Sequence, residues 1–130
     1  MNAANMANVY KQQQIMTASP EELTLMLYNG AIRFVTESIQ AIGQKDMERA
    51  HKKNMRAQDI VKELMSSTDT QYDISHDWLR LEEYILYRLI QGNIQKDVVQ
   101  LEEAKKLLTE FRDTWVEVIK QVRQAKAVGK

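Results

Sequence analysis

Any reaction run by this chain would start from its two histidines, His51 and His76. Each follows an acid by three residues, as Glu48-x-x-His51 and Asp73-x-x-His76. On a helix this spacing puts carboxylate and imidazole on one face. A Glu-x-x-His pair on each of two helices is half of the ligand set of a di-iron helical bundle; the other half is an inward carboxylate on each remaining helix. Glu37 lies at the edge of an apolar stripe, and Glu102, Glu103 and Glu110 lie off one, so that half is poorly supplied. The second chemistry open to a helical bundle is histidine phosphotransfer, which uses an exposed mid-helix histidine followed by lysine and a small residue. His51-Lys52-Lys53-Asn54 has part of that pattern. Asn54 and Met55 stand where the pattern wants lysine and glycine, and His51 lies close to a helix start. Histidine phosphotransfer through His51 and a di-iron bundle are therefore the alternatives, with two solvent-facing histidines as the simpler reading.

Other reactive arrangements are missing. There is no cysteine, which removes disulfides, thiolate chemistry and cysteine-type zinc sites. No Ser-His-acid order and no glycine-rich phosphate loop occurs. Glu21-Glu22, Glu82-Glu83 and Glu102-Glu103 read as solvated faces and first-turn partners of helix dipoles. No catalytic residue, metal ligand or cofactor is assigned. The chain reads as a binding protein rather than an enzyme.

Composition sets the frame that must position any binding residues. The chain has 130 residues, 44% hydrophobic and 28% charged, with one proline and four glycines. So little turn chemistry disfavours sheet and favours long helices. A formal net charge of zero points to neither nucleic acid nor acidic lipid as partner. No apolar run approaches the roughly 18 residues of a membrane span, and residues 1–16 hold no run suited to a signal peptide. The expectation is one cytoplasmic domain with no membrane insertion.

Ser19-Pro20-Glu21-Glu22 marks the start of the folded body. Ser19 is placed as an N-cap, Glu22 as its capping-box partner, and Pro20 at the first helical position. Residues 1–16 form a polar arm with scattered apolar groups, Met6, Val9, Tyr10, Ile15 and Met16, and a short helix is expected around residues 4–13. Residues 17–130 form the body. The first long helix runs from Pro20 to about Ile42 on a stripe of Leu23, Leu27, Ala31, Phe34 and Ile42, capped near Gly43. Asp46 opens a second, with Ala50, Asn54, Ala57, Val61 and Leu64 in line, ending in the polar residues 66–70. Asp73 or Ser75 opens a third on Trp78, Leu81, Ile85 and Leu89, closed by Gly92-Asn93. Asp97, boxed with Gln100, opens the last, whose line is Leu101, Ala104, Leu108, Phe111, Trp115, Val118, Val122 and Ala125. No internal repeat is evident. Four amphipathic helices with short loops predict an all-α, antiparallel up-down four-helix bundle with a short N-terminal arm or helix.

The apolar surface exceeds what such a core consumes. Leu25, Tyr28 and Ile32 lie off the first stripe, as do Tyr84 and Tyr87 off the third. Seven methionines suit an adaptable surface. Together these features suggest grooves for amphipathic helices.

The run from Thr17 to Ala31, TASPEELTLMLYNGA, closely resembles the signature of the flagellar secretion chaperone FliS family. Asp46 to His51 resembles the start of that family's second long helix, Ala57 to Leu64 its middle, Leu81 to Asn93 its third helix, and Asp97, Leu107-Leu108 and Trp115 its fourth. The likeness spans about residues 9–118. It departs from the family pattern at Leu81-Glu82-Glu83-Tyr84 and Tyr87-Arg88-Leu89, and lacks the glycine pair common before the third helix. The resemblance implies a cytosolic helical-bundle chaperone that binds the disordered C-terminal region of flagellin. It further implies that the chaperone blocks premature polymerisation and delivers flagellin to the flagellar type III export gate. Leu27, Tyr28, Ile85 and Leu89 are expected to lie in or beneath the binding groove. Tyr10 and Ile15 are expected to dock over it in the free protein, and Tyr28 to be dispensable for stability.

Overall fold

Ser19 adopts an extended conformation (φ −67°, ψ 162°) and its Oγ accepts the Glu22 amide at 3.2 Å, with Pro20 in the first turn. The reciprocal half of the capping box is taken elsewhere. The Glu22 carboxylate accepts from Arg123 at 2.7 Å. Glu21 instead turns back: hydrogen bonds from its own amide and from Ser19 hold its carboxyl below the usual value. The helix start is thus tied to a residue 101 positions away.

The computed structural model describes residues 3–68 and 73–129. They form α1 (Ala3–Thr17), α2 (Pro20–Gly43), α3 (Met47–Ser67), α4 (Asp73–Gln95) and α5 (Val98–Val128), with no strand among the described residues. Asp69 and Thr70, expected in the polar loop after α3, lie outside the described residues. α2 packs on α3 and α5, and α4 packs on the same two helices. Neighbouring helices meet with residue numbers running in opposite senses. Ser38 meets Ala50 and Gly30 meets Ile60; Asn54 meets Leu89 and Thr68 meets Glu82. Arg88 meets Gln100 and Trp78 meets Phe111; Tyr28 meets Phe111 and Glu22 meets Arg123.

Two joints between these helices share one construction. Glycine was expected to end both α2 and α4, but Gly43 is helical and α4 runs through Gly92 and Asn93 to Gln95. The left-handed residue is a lysine each time, Lys45 at φ 62° and Lys96 at φ 52°. Backbone bonds Asp46 N–Ala41 O (2.8 Å) and Lys45 N–Ile42 O (3.0 Å) close the first helix end, and Asp97 N–Gly92 O (2.9 Å) and Lys96 N–Asn93 O (3.4 Å) the second. This is the Schellman pattern, which satisfies the last carbonyls. In both joints the tripeptide is Gln-Lys-Asp, a recurrence too short to register as a repeat. The aspartate then caps the next helix: Asp46 Oδ1 accepts from Arg49 N at 3.1 Å and Asp97 Oδ1 from Val99 N at 3.0 Å. Gln100 does not complete a box with Asp97; it accepts from Arg88 and donates to Gln95. Gly92 serves packing instead, since a Cβ there would meet Leu101 Cδ2 at 2.6 Å.

The core lies between the four long helices. All five residues of the α3 line are buried. Its polar member, Asn54, donates to Leu89 O (3.1 Å) and accepts from Gln58 (2.7 Å), so its burial leaves neither group unmatched. The α4 line is corrected by one residue: Leu81 is 44% exposed and Glu82 is 2% exposed. Positions 81 and 82 both fit helical spacing from Trp78 to Ile85, and apolarity alone selects the wrong one. In α5 the expected line holds through Phe111, after which Ile119 is buried and Ala125 exposed. Alternating steps of three and four have a period of 3.5, and an α-helix of 3.6 drifts by about 20° per heptad. Over the length of α5 that drift moves the buried position on by one.

α1 is longer than the short helix expected. Its apolar groups do not pack: Tyr10 is 63%, Ile15 53% and Met16 85% exposed. The expected docking of Tyr10 and Ile15 on the body is therefore absent from this conformation. The cause is geometric, because Met6, Val9 and Tyr10 lean to one side of the helix and Ile15 to the other, leaving no stripe to bury.

Candidate functional site

Tyr28 was expected at the surface of α2 and lies in the core at 2% exposure. Its hydroxyl accepts the Trp78 indole N–H at 3.1 Å. Trp78 stacks on Phe111 with centroids 4.3 Å apart and planes at 13°, and Phe111 meets the Tyr28 ring edge-on at 6.3 Å. This triad joins α2, α4 and α5. Burial pushes the Tyr28 phenol up to about 12; the Trp78 bond opposes that shift and the charge of Glu82 adds to it.

Above the triad a cleft of about 470 Å³ opens between the N-terminal parts of α2 and α4 and the later parts of α3 and α5. Tyr28, Trp78, Leu64, Trp115 and Val118 give it apolar walls, with Thr24, Ser67 and Ser75 also lining it. Trp115 is fixed by donating its indole N–H to Glu21 O at 2.8 Å. Glu82 and Thr68 supply a polar corner. Thr68 Oγ1 lies 2.8 Å from Glu82 Oε1 and 2.9 Å from Leu64 O. A hydroxyl has one proton and two acceptors here. Burial raises the Glu82 pKa, against the Thr68 bond that lowers it. The Thr68 hydroxyl stands within donating distance of two acceptors, the Glu82 carboxyl oxygen and Leu64 O.

The structure places the sequence-derived candidates in three settings. Tyr28, Ile85 and Leu89 come together in the core, the last two at 0% exposure. Leu27 is half-buried against that core. Tyr10 stands apart on α1. Of the other aromatic candidates, Tyr84 is tied to Glu103 (2.7 Å) and Arg88 (2.8 Å), while Tyr87 is 54% exposed. The sequence reading missed the cleft itself. Trp78 and Trp115 stood on core lines, and nothing in their spacing set them apart from the buried residues of those lines.

The cleft, walled by Tyr28, Leu64, Trp78, Trp115 and Val118, is suited to holding apolar groups. Among the described residues no three His, Asp or Glu side chains gather as metal ligands. Glu48 is an exposed partner of Lys52 at 3.2 Å, and His51 Nδ1 shares a hydrogen bond with Asn93 Nδ2 at 2.9 Å. No helix among the described residues is long and apolar enough to cross a membrane.

Comparison with known proteins agrees with this character. Residues 2–122 match the family model described as flagellar protein FliS. The chain is 37% identical over 124 residues to the flagellar secretion chaperone FliS of Bacillus subtilis, covering 95% of this chain and 93% of the relative. It is 26% identical to the Salmonella typhimurium protein of the same name, over 86% of this chain and 85% of that one. To the Escherichia coli protein it is 25% identical, over 85% and 84%. The chain belongs to the FliS family.

Proposed function

We propose that this member of the FliS family is a flagellar secretion chaperone and not an enzyme. Its client is the disordered C-terminal region of flagellin, which it holds in the cytosol against premature polymerisation and delivers to a component of the flagellar type III export gate. The observation that carries this reading is the match over residues 2–122, joined to an apolar cleft whose walls hold Tyr28, Trp78 and Trp115. A disordered client that becomes helical on binding loses chain entropy, and apolar burial must exceed that loss. Exposed Leu23 and Met26 on α2 and Leu81 and Tyr87 on α4 add further apolar area. In this reading the body is an up-down four-helix bundle and α1 is its arm. Leu27 meets the client, Tyr28 floors the cleft, Ile85 and Leu89 hold that floor rigid, and Tyr10 on the arm adds a contact when the client is present.

The test is isothermal titration of the whole chain with a flagellin C-terminal peptide, comparing the parent with Thr24→Arg. Thr24 is a half-buried residue on the cleft wall, so arginine there obstructs the cleft without opening a core cavity. The expected result is binding by the parent and its loss in the variant at unchanged melting temperature. No binding by the parent overturns the client. Binding by both overturns the cleft as its site.

A further inference from the structure

The chain has zero formal net charge, but its cations are unevenly placed. Arg33, Lys53 and Arg56 converge on the Phe34 ring, at 4.8, 5.5 and 5.3 Å from its centroid. One carboxylate serves this group: Glu37 lies 3.0 Å from Lys53 and 3.9 Å from Arg33. Lys53, Arg33 and Arg49 all favour its charged form, which is held below the usual value. Arg49, Lys52, Lys53 and Arg56 then line a second concavity of about 470 Å³, together with Asp46 and Glu48. Glu48 is engaged by Lys52. Among the described residues no carboxylate lies within ion-pair distance of Arg49 or Arg56.

Like charges held this close on one face repel, and the cost is recovered when an anion is shared between them. We infer that the face formed by Arg49, Lys52 and Arg56 on α3 with Arg33 on α2 is a docking surface for an acidic segment of a protein partner. Two features favour discrete carboxylates over a polyanion. From Arg49 to Arg56 is seven residues, about 10 Å of helix, enough for a few carboxylates but short for a phosphate backbone. Asp46, Glu48 and Glu37 are interleaved with the cations and would repel a continuous line of phosphates, whereas separated carboxylates fit between them. Guanidinium forks match carboxylates bidentately, and among the described residues neither Arg49 nor Arg56 has a carboxylate within ion-pair distance. The surface lies away from the apolar cleft: Arg56 and Leu64 of α3 are eight residues apart, about 12 Å along the helix. Both can therefore be occupied together.

The test uses the full chain and a fluorescein-labelled, glutamate-rich peptide at low ionic strength. Anisotropy gives the affinity and amide chemical shifts give the footprint. The expected result is saturable binding with shifts centred on residues 46–56. Arg49→Gln/Arg56→Gln should weaken binding by at least about tenfold. Salt near ~0.15 M should weaken binding to the parent. Absence of binding, a footprint elsewhere, or equal affinity in the double variant overturns the proposal. So does tighter binding of an oligonucleotide or of phosphatidylglycerol vesicles than of the peptide. If the double variant loses its helical circular dichroism, the footprint on the parent decides.

Discussion

The Trp78 indole donates to the Tyr28 hydroxyl at 3.1 Å, across fifty residues, while both rings rest on Phe111. This bond makes Tyr28 a structural residue first and a cleft residue second. Tyr28→Ala should cost about 3–5 kcal/mol, as loss of a fully buried aromatic does. Tyr28→Phe keeps the ring and leaves the Trp78 N–H without its partner, for about 1–2 kcal/mol. Urea unfolding checks both, and a Tyr28→Ala protein as stable as the parent would remove Tyr28 from the core. The phenol adds a pH signature. Its folded pKa of about 12 stands above the ordinary 10, so its contribution is complete below 10 and is lost as pH rises through about 12. A late-titrating absorbance step near 295 nm, missing in Tyr28→Phe, is the expected record.

Glu82 should shape the acid limb of stability. Burial raises its folded pKa above 4.5, so the neutral form favours the fold. The contribution is present below 4.5 and is lost as pH rises through the higher folded value. Glu82→Gln puts a neutral amide there, whose oxygen can accept from Thr68 as the carboxyl does. The variant should match or exceed the parent in urea midpoint at pH 8, and the gap should narrow as pH falls towards 5. A gap that widens on acidification would mean that Glu82 is held as a carboxylate.

These two residues show where the sequence was legible. Periodicity placed the four long helices and the α3 line because small and apolar residues there repeat without competition. It failed at Glu82 because residues 81 and 82 share the spacing and only packing chooses between them. It misjudged Tyr28 because a tyrosine beside Leu27 reads as the outer edge of a stripe, while its hydroxyl partner lies fifty residues on. The cleft was hidden for a similar reason: Thr24, Leu64, Trp78 and Trp115 come from four different helices. The cation cluster around Phe34 also needed the fold, since its members are drawn from α2 and α3.

Two glycines that look alike in sequence should respond in opposite directions. At Gly92 an added Cβ meets Leu101 Cδ2 at 2.6 Å and Cγ at 2.9 Å, and Leu101 is itself fully buried. Gly92→Ala should therefore lose about 1–3 kcal/mol to overpacking, more than the roughly 1 kcal/mol of helix propensity it gains. At Gly43 nothing lies within 4 Å and the residue is helical. Gly43→Ala should gain about 0.5 kcal/mol. Thermal melts of the two single variants on either side of the parent would bear this out, and a stabilised Gly92→Ala would show that Leu101 has room to move.

The paired Gln-Lys-Asp joints give the sharpest comparison, because the same residue sits in the same conformation with different side-chain contacts. A left-handed lysine costs on the order of 1 kcal/mol that glycine avoids, less the greater freedom glycine brings to the unfolded chain. Lys45 has its side chain in solvent, and Lys45→Gly should stabilise by about 0.5 kcal/mol on that balance. Lys96 uses the same backbone but its ammonium donates to Asn93 O at 2.7 Å and to Asn93 Oδ1 at 2.8 Å. Asn93 in turn holds His51, so the ammonium supports a contact between α3 and α4. Lys96→Gly removes that support and should return the backbone gain, leaving stability level with or below the parent. Chemical denaturation of the two variants, with the His51 ring resonances followed in Lys96→Gly, separates the contributions. Equal stabilisation at both joints, with the His51 ring undisturbed, would show that the Lys96 ammonium contributes nothing to holding α4 against α3.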